Sequence, residues 1–441
     1  MNVVREEGES SRTWYTLFLL SFAYSLSYVD RQVFNLVVDP IKSSLSLTDT
    51  QVSFLQGAAF IAAYVLASPF FGRLVDTWNR RNILIAGVCA WSVGTILCGF
   101  AETFWQLAAA RFAVGICEAC VFPVGMSVIP EIFSTRRVPR ALSLFSLGAQ
   151  LGSAFSLLAG GAVIAFAASI ALWSPALATL HTWQLAFVIV GAPGLFLAML
   201  LFSMREPERP VQDKAGDATQ EYTFRQSLTQ VWQNRSFYGR IYLFCAANGI
   251  VFLSVPAWYP AYLMRVYGLT PTEVGLQLGA LTLAFGGAGT LLGPVVARWL
   301  DERGYADASL RAAAISSVGI LLSCLSIPYA PNAHVAMAIN ASIVFFCAFP
   351  TSLVAFTAQR VTTSRMRGIV GSLYGLTGLA VGYGIGPTLV ALVTDWVFHD
   401  PKKVGLSLQL ICSICALVVF YALVSNFRNY RDRMDVGEMA P

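Results

Sequence analysis

Charge is what this sequence has least of. Asp, Glu, Lys and Arg make up 12% of its 441 residues, about half the share of an ordinary soluble domain. Histidine is nearly absent, at three residues. The windows 241–263 and 335–358 contain no Asp, Glu, Lys or Arg at all. No nucleophile–base pair, metal-ligand set or phosphate loop is recognisable, so the pattern is not that of an enzyme and calls for no cofactor. The chain is 56% hydrophobic with a mean hydropathy of +0.64, more apolar surface than one globular core can hide. The class is polytopic membrane protein. In that class the net charge of +5 speaks to topology, not to nucleic acid.

Two further absences matter. The opening "MNVVREEGESSRT" has no apolar core and no small-residue cleavage site, so it reads as a retained tail and not as a signal peptide. Nine cysteines are present, but Cys117-x-x-Cys120 and Cys412-x-x-Cys415 have no second pair to complete a four-ligand zinc site. They read as packed thiols.

What is there is a series of apolar runs between short polar breaks. We place spans 1 to 12 at 14–38, 50–71, 82–101, 103–130, 141–168, 183–203, 237–264, 273–297, 311–329, 333–359, 368–394 and 404–425. The longest polar stretch, 204–236, falls in the middle and reads as a linker between residues 1–203 and 237–441. With the first span starting inside, both termini and the linker share one side, and 23 of the 29 Lys and Arg lie there. The opposite side has Lys42, Arg265, Lys402 and Lys403; Arg31 and Arg111 lie inside spans. The positive-inside rule puts the termini in the cytoplasm.

The chain also repeats itself. "LTDTQVSFLQGA" (Leu47–Ala58) matches "LTPTEVGLQLGA" (Leu269–Ala280), and "PFFGRLVDTWNRR" matches "PVVARWLDERG". The second match pairs Pro69 with Pro294, Arg73 with Arg298, Asp76 with Asp301 and Asn79 with Gly304. Both copies straddle an even-numbered span and the loop after it. Two parallel six-helix halves follow.

Gly72-x-x-x-Asp76-x-x-x-Arg80-Arg81 resembles the 2–3 loop motif of the major facilitator superfamily. Asn79 stands where glycine is usual, a mild departure if the position needs a left-handed backbone. A finer resemblance runs over nearly the whole chain. "YVDRQV" in span 1, "FWQLAAARFAVGICEA" into span 4, "SLGAQLGS" in span 5, "REPER" at the linker and "GYGIGPTLVALVTD" in span 11 are similar to bacterial members of the spinster family. Animal members of that family export sphingosine 1-phosphate or lysophospholipids. The "YVDR" run and the Glu118-Ala119 and Phe122-Pro123 pairs also resemble anion–cation symporters such as hexuronate carriers. The resemblance implies an all-α integral membrane protein, with twelve transmembrane helices in two six-helix pseudo-symmetric halves. It also implies alternating access about a cavity near the midplane.

The intramembrane charges carry the chemistry. At 1.5 Å per residue Asp30 lies ~24 Å from the start of span 1, and Arg111 ~12 Å from the outer end of the antiparallel span 4. The two heights are similar in a core about 30 Å thick, so they can meet. Glu118 lies two turns beyond Arg111 on nearly the same face. Intramembrane charges of this kind line transport paths. Asp30 and Glu118 are the candidate proton carriers. Arg31 and Arg111 are the candidate anchors for an anionic head, with Tyr28, Asn248 and Tyr259 as further candidate binding residues.

The loop motifs supply a candidate cytoplasmic gate: Asp76, Arg80, Arg81, Glu131, Arg137, Arg140, Asp301, Arg365 and Arg367. The glycine-rich stretches of spans 5 and 11 permit close helix contact. The expected function is a proton-coupled secondary transporter, a monomer of the inner membrane, moving an amphipathic, lipid-like anion. A small organic carboxylate of hexuronate or phthalate type is the alternative substrate.

Overall fold

The computed structural model describes residues 11–134, 137–173, 179–206, 224–363 and 366–438. Every regular element among them is helical. Eleven helices are long and apolar enough to cross a membrane, and they fall on spans 2 to 12. They run Asp49–Thr77, Arg80–Cys98, Phe104–Ile132, Arg140–Ile170, Thr182–Leu201, Arg235–Tyr267, Pro271–Asp301, Ala308–Tyr329, Ala333–Val361, Ile369–Phe398 and Pro401–Asp432. Large apolar side chains such as Leu66, Trp105 and Leu291 are exposed, as a hydrocarbon solvent allows. Polar side chains are folded inward, Asp30, Arg111 and Glu118 among them.

Span 1 departs from the expected single helix. It is three pieces, Ser11–Leu26, Val29–Leu36 and Val38–Ser44. At the first break the Ser27 hydroxyl donates to the Tyr24 carbonyl at 2.9 Å, satisfying an acceptor that the ending helix leaves over. The helix that restarts carries Asp30 in its first turn, where the helix dipole favours a carboxylate. Span 4 breaks too, into Phe104–Glu118 and Val121–Ile132. Glu118 closes the first piece, the end at which the dipole disfavours a carboxylate. Its stability there must come from another side chain.

The internal repeat has a local cause. Thr48 with Gln51, and Thr270 with Glu273, form the same reciprocal capping box at the start of spans 2 and 8. The second repeat shows a difference. Gly304 has a positive φ of 86°, but its partner Asn79 does not adopt the left-handed backbone. Asn79 is extended (φ −69°, ψ 115°) and caps span 3, accepting from the Asn82 N–H at 2.9 Å. Asparagine at this position is a helix cap.

Contacts divide the chain into two compact units, Met1–Phe34 with Ala62–Asp213, and Asn35–Ile61 with Lys214–Pro441. In the first, span 5 lies against span 1: a Cβ on Gly148 would come within 2.8 Å of the Ser21 carbonyl oxygen. In the second, span 11 lies against span 7 in the equivalent way, with a Cβ on Gly249 only 2.7 Å from the Gly378 carbonyl. The stretch 35–61, the end of span 1 and the start of span 2, belongs to the second unit. Of the polar stretch 204–236, residues 207–223 lie outside the described residues, and Phe224–Gln233 is a short helix.

Candidate functional site

Four charged side chains form two crossed ion pairs between spans 1 and 4. Arg111 Nη1 donates to Asp30 Oδ2 at 2.9 Å. Arg31 Nη2 is in close contact with Glu118 Oε2, and its Nε donates to the same oxygen at 3.1 Å. Neighbours on span 1 therefore reach residues two turns apart on span 4. All four are buried, Arg111 completely. Glu118 obtains from Arg31 the stabilisation that its helix end denies it.

Each carboxylate uses one oxygen. Asp30 Oδ1 and Glu118 Oε1 are buried and have no hydrogen-bond partner among the described residues. Rings flank the guanidinium groups. The Arg31 Cζ lies 4.7 Å from the centre of the Tyr28 ring and 5.8 Å from that of Tyr64. The Arg111 Cζ lies 5.3 Å from the centre of Phe34. These distances are in cation–π range. Tyr64 was not singled out by its sequence, since a lone tyrosine in an apolar span carries no pattern.

The candidates on span 7 are placed otherwise. Tyr259 is fully buried and spends its hydroxyl on the Ala336 carbonyl of span 10, at 2.6 Å. Asn248 is buried, donates to the Cys347 carbonyl at 3.4 Å, and leaves Oδ1 without a partner among the described residues. Both join span 7 to span 10.

At the N-terminal end of span 3, Arg80 is nearly completely buried and bridges two carboxylates. Its Nη1 is 2.6 Å from Glu131 and its Nε is 2.9 Å from Glu206. Glu206 also accepts the backbone N–H of Arg81 at 2.8 Å and of Arg80 at 3.2 Å, capping the helix. Burial pushes the Glu206 carboxyl up, but these hydrogen bonds and the Arg80 charge outweigh it and hold the group below its usual range. Glu206 stands in the "REPER" run, which reads from sequence only as the opening of a linker. Asp76, Arg137, Arg140 and Asp301 are exposed. Arg367 opens the helix Arg367–Gly384, and Arg365 lies outside the described residues.

A second ionic cluster, missed by sequence reasoning, sits within the other unit at the C-terminal end of span 7. Arg265 binds Asp39 at 2.6 Å and Asp49 at 2.8 Å. Lys42 also reaches Asp49, at 2.6 Å, and the Pro401 carbonyl accepts from Arg265 at 3.1 Å. Asp49 is fully buried. Below it, Thr50 donates both its N–H and its hydroxyl to Asp395 Oδ2, each at 2.7 Å. Gln56 donates to the Ala257 carbonyl at 3.2 Å. The stretch 35–61 is thus tied to spans 7 and 11. Lys42 and Arg265, two of the four cations in the sparsely charged set of loops, are engaged here. The available signal was that anomaly: cations kept on the side where cations are scarce.

Twelve spans in repeated halves, with buried ion pairs on paired helices, define a polytopic carrier fold. The chain belongs to the Major Facilitator Superfamily, whose family model matches residues 20–387, and it is a multi-pass membrane transporter. It is 26% identical to an MFS-type efflux pump of Mycolicibacterium smegmatis, over 97% of this chain and 95% of that one. It is 26% identical to a probable L-galactonate transporter of Escherichia coli, over 86% of this chain and 82% of that one. With a sphingosine-1-phosphate transporter of Danio rerio it shares 27% identity, over 82% and 74% of the two chains. The fold matches a bacterial homologue of the human lysosomal transporter spinster, solved inward-facing and unoccupied. The TM-score is 0.81 at 22% identity, covering 97% of this chain and 99% of that one.

Proposed function

We propose that the protein is a proton-coupled carrier of an amphipathic anion, of lysophospholipid or sphingoid-phosphate type, working by alternating access. The observation that carries the reading is the pair of crossed bridges, Asp30–Arg111 and Arg31–Glu118, each with one carboxylate oxygen uncommitted. A proton taken up by either carboxylate cancels the charge that holds its arginine. That guanidinium then becomes available to a phosphate or carboxylate head, so proton and anion bind together. Arg31, Arg111 and Tyr28 form the head-group anchor, and Asn248, whose Oδ1 has no partner among the described residues, is kept as a further binding residue. Tyr259 is left out because its hydroxyl is already spent.

The cytoplasmic gate is centred on Arg80, Arg81, Glu131 and Glu206, with Asp76, Arg137, Arg140, Asp301, Arg365 and Arg367 as the remaining loop charges. The outer gate is the Arg265 cluster. The carrier is a monomer of the inner membrane with cytoplasmic termini.

An amphiphile is favoured over a sugar acid by the distribution of charge. Spans 1 and 4 carry four buried charges, whereas windows 241–263 and 335–358 of spans 7 and 10 carry none. A polar head needs charged anchors and an apolar tail needs surface free of charge, and different spans supply the two. Similarity to a galactonate carrier keeps the carboxylate reading in the test. Binding to purified protein of a series of lysophospholipids should weaken as the acyl chain shortens, by up to about 0.8 kcal/mol per CH₂ buried. Arg111→Ala should abolish it. Tight binding of a hexuronate with no response to single-chain lipids would replace this substrate by the carboxylate.

A further inference from the structure

Asp30 commits Oδ2 to Arg111 and leaves Oδ1 buried without a partner among the described residues. A buried carboxylate oxygen with nothing to accept from keeps the cost of its desolvation uncompensated, and such a group calls for an explanation. Beside it, between spans 1, 3 and 6, lies a small cavity lined by Asp30, Trp91, Ser92, Thr95 and Gly194. It gives the centre of a water molecule about 10 Å³, room for a single one.

The lining has the hydrogen-bond sense that a water needs. Ser92 gives its own proton to the Val88 carbonyl at 2.7 Å, so toward the cavity it can only accept. Asp30 Oδ1 also accepts. The Trp91 indole N–H can only donate, and a hydroxyl such as that of Thr95 does either. A water there donates to Asp30 and Ser92 and accepts from Trp91 or Thr95. The charged groups near Asp30 are Arg111 and Glu118 on span 4 and Arg31 beside it; Cys98 on span 3 is within electrostatic reach.

We propose that this cavity is a water site that completes the Asp30 carboxylate, with Ser92, Thr95 and Trp91 as positioning residues. The water serves both protonation states. When Asp30 is charged, the water donates to Oδ1. When Asp30 is protonated, Arg111 keeps Oδ2 as acceptor, so the proton resides on Oδ1 and is donated to the water. The proton-bearing oxygen is thereby the one facing spans 3 and 6. Gly194 is part of the device: a Cβ there would overlap Ser92 Oγ and fill the site.

The proposal rests on Asp30 as a proton carrier, and its test separates the two. Infrared difference spectra of the purified carrier are recorded across a pH step, in ordinary and in ¹⁸O water. Wild type should show an ¹⁸O-sensitive O–H stretch of an isolated water, and a carboxyl stretch that Asp30→Asn removes. Gly194→Ala should lose the water band and move the Asp30 carboxyl stretch to higher frequency, as expected for a carboxyl that has lost a hydrogen bond. Ser92→Ala, a smaller change, should shift the water band without abolishing it. A water band that survives Gly194→Ala, or an Asp30 stretch unmoved by it, overturns the site. Should Asp30→Asn remove no carboxyl band at any pH, Asp30 is not the proton carrier; the water band in wild type and Gly194→Ala still decides whether the cavity holds a water.

Discussion

Asp30 and Arg111 stand 81 residues apart in sequence and 2.9 Å apart in space, joined through one oxygen of the carboxylate. The same span-1 turn sends Arg31 to Glu118. Each carboxylate is therefore paired through one oxygen, while the other is buried without a hydrogen-bond partner among the described residues.

Asp30→Asn and Glu118→Gln keep the shape of each side chain and remove its titration. Either should reduce uphill uptake driven by a pH gradient in proteoliposomes at least tenfold. Counterflow exchange without a gradient should be retained. Normal gradient-driven transport by both variants would make these residues structural.

Arg265→Gln removes the cation shared by Asp39 and Asp49. Asp49 is fully buried, and breaking a buried pair from one side typically costs about 3–5 kcal/mol. Melting of the purified variant should fall by several degrees. Ser53→Cys, buried beneath the cluster, should react faster with an impermeant maleimide from the outer side in the Arg265→Gln background, read at the peptide carrying residue 53. Arg265→Lys should lie between, having the charge without the fork. Equal labelling in all three backgrounds would remove the gate role.

Gly57→Ala tests the close approach of span 2 to span 11. The added Cβ would overlap the Tyr383 carbonyl oxygen, a backbone atom that cannot rotate away. The expected result is faster labelling of Ser53→Cys with the Arg265 cluster intact. A variant labelled at the wild-type rate would show that the helices need not meet so closely.

Glu206 gives a pH-dependent contribution whose sign is set by its depressed carboxyl. Its folded value lies below the unfolded one, so the stabilisation is complete at neutral pH. It is lost as pH falls through the folded value. Glu206→Gln should lower the melting temperature at pH 7, and the difference from wild type should shrink below about pH 4. A difference that stays constant from pH 7 to pH 3 would mean that Glu206 acts through shape alone.

Hydropathy is a local quantity, and what depended on it was determined by the sequence itself. The spans, the outward apolar surface, the bias of Lys and Arg to one side and the repeated capping boxes of Thr48 and Thr270 all follow from short windows. Even the meeting of Asp30 with Arg111 was legible, because helical rise converts residue number into depth.

Tertiary structure decided what depends on rotation and on distant partners. Hydropathy around Ser27 or Ala119 does not announce a helix break there, and the charges beside the breaks, Asp30 and Glu118, find their partners on the opposite span. Arg265 finds Asp39 across 226 residues, and Arg80 finds Glu206 across 126. An ion pair is worth its desolvation only when packing brings both groups into contact, and no local pattern encodes which helix faces will meet.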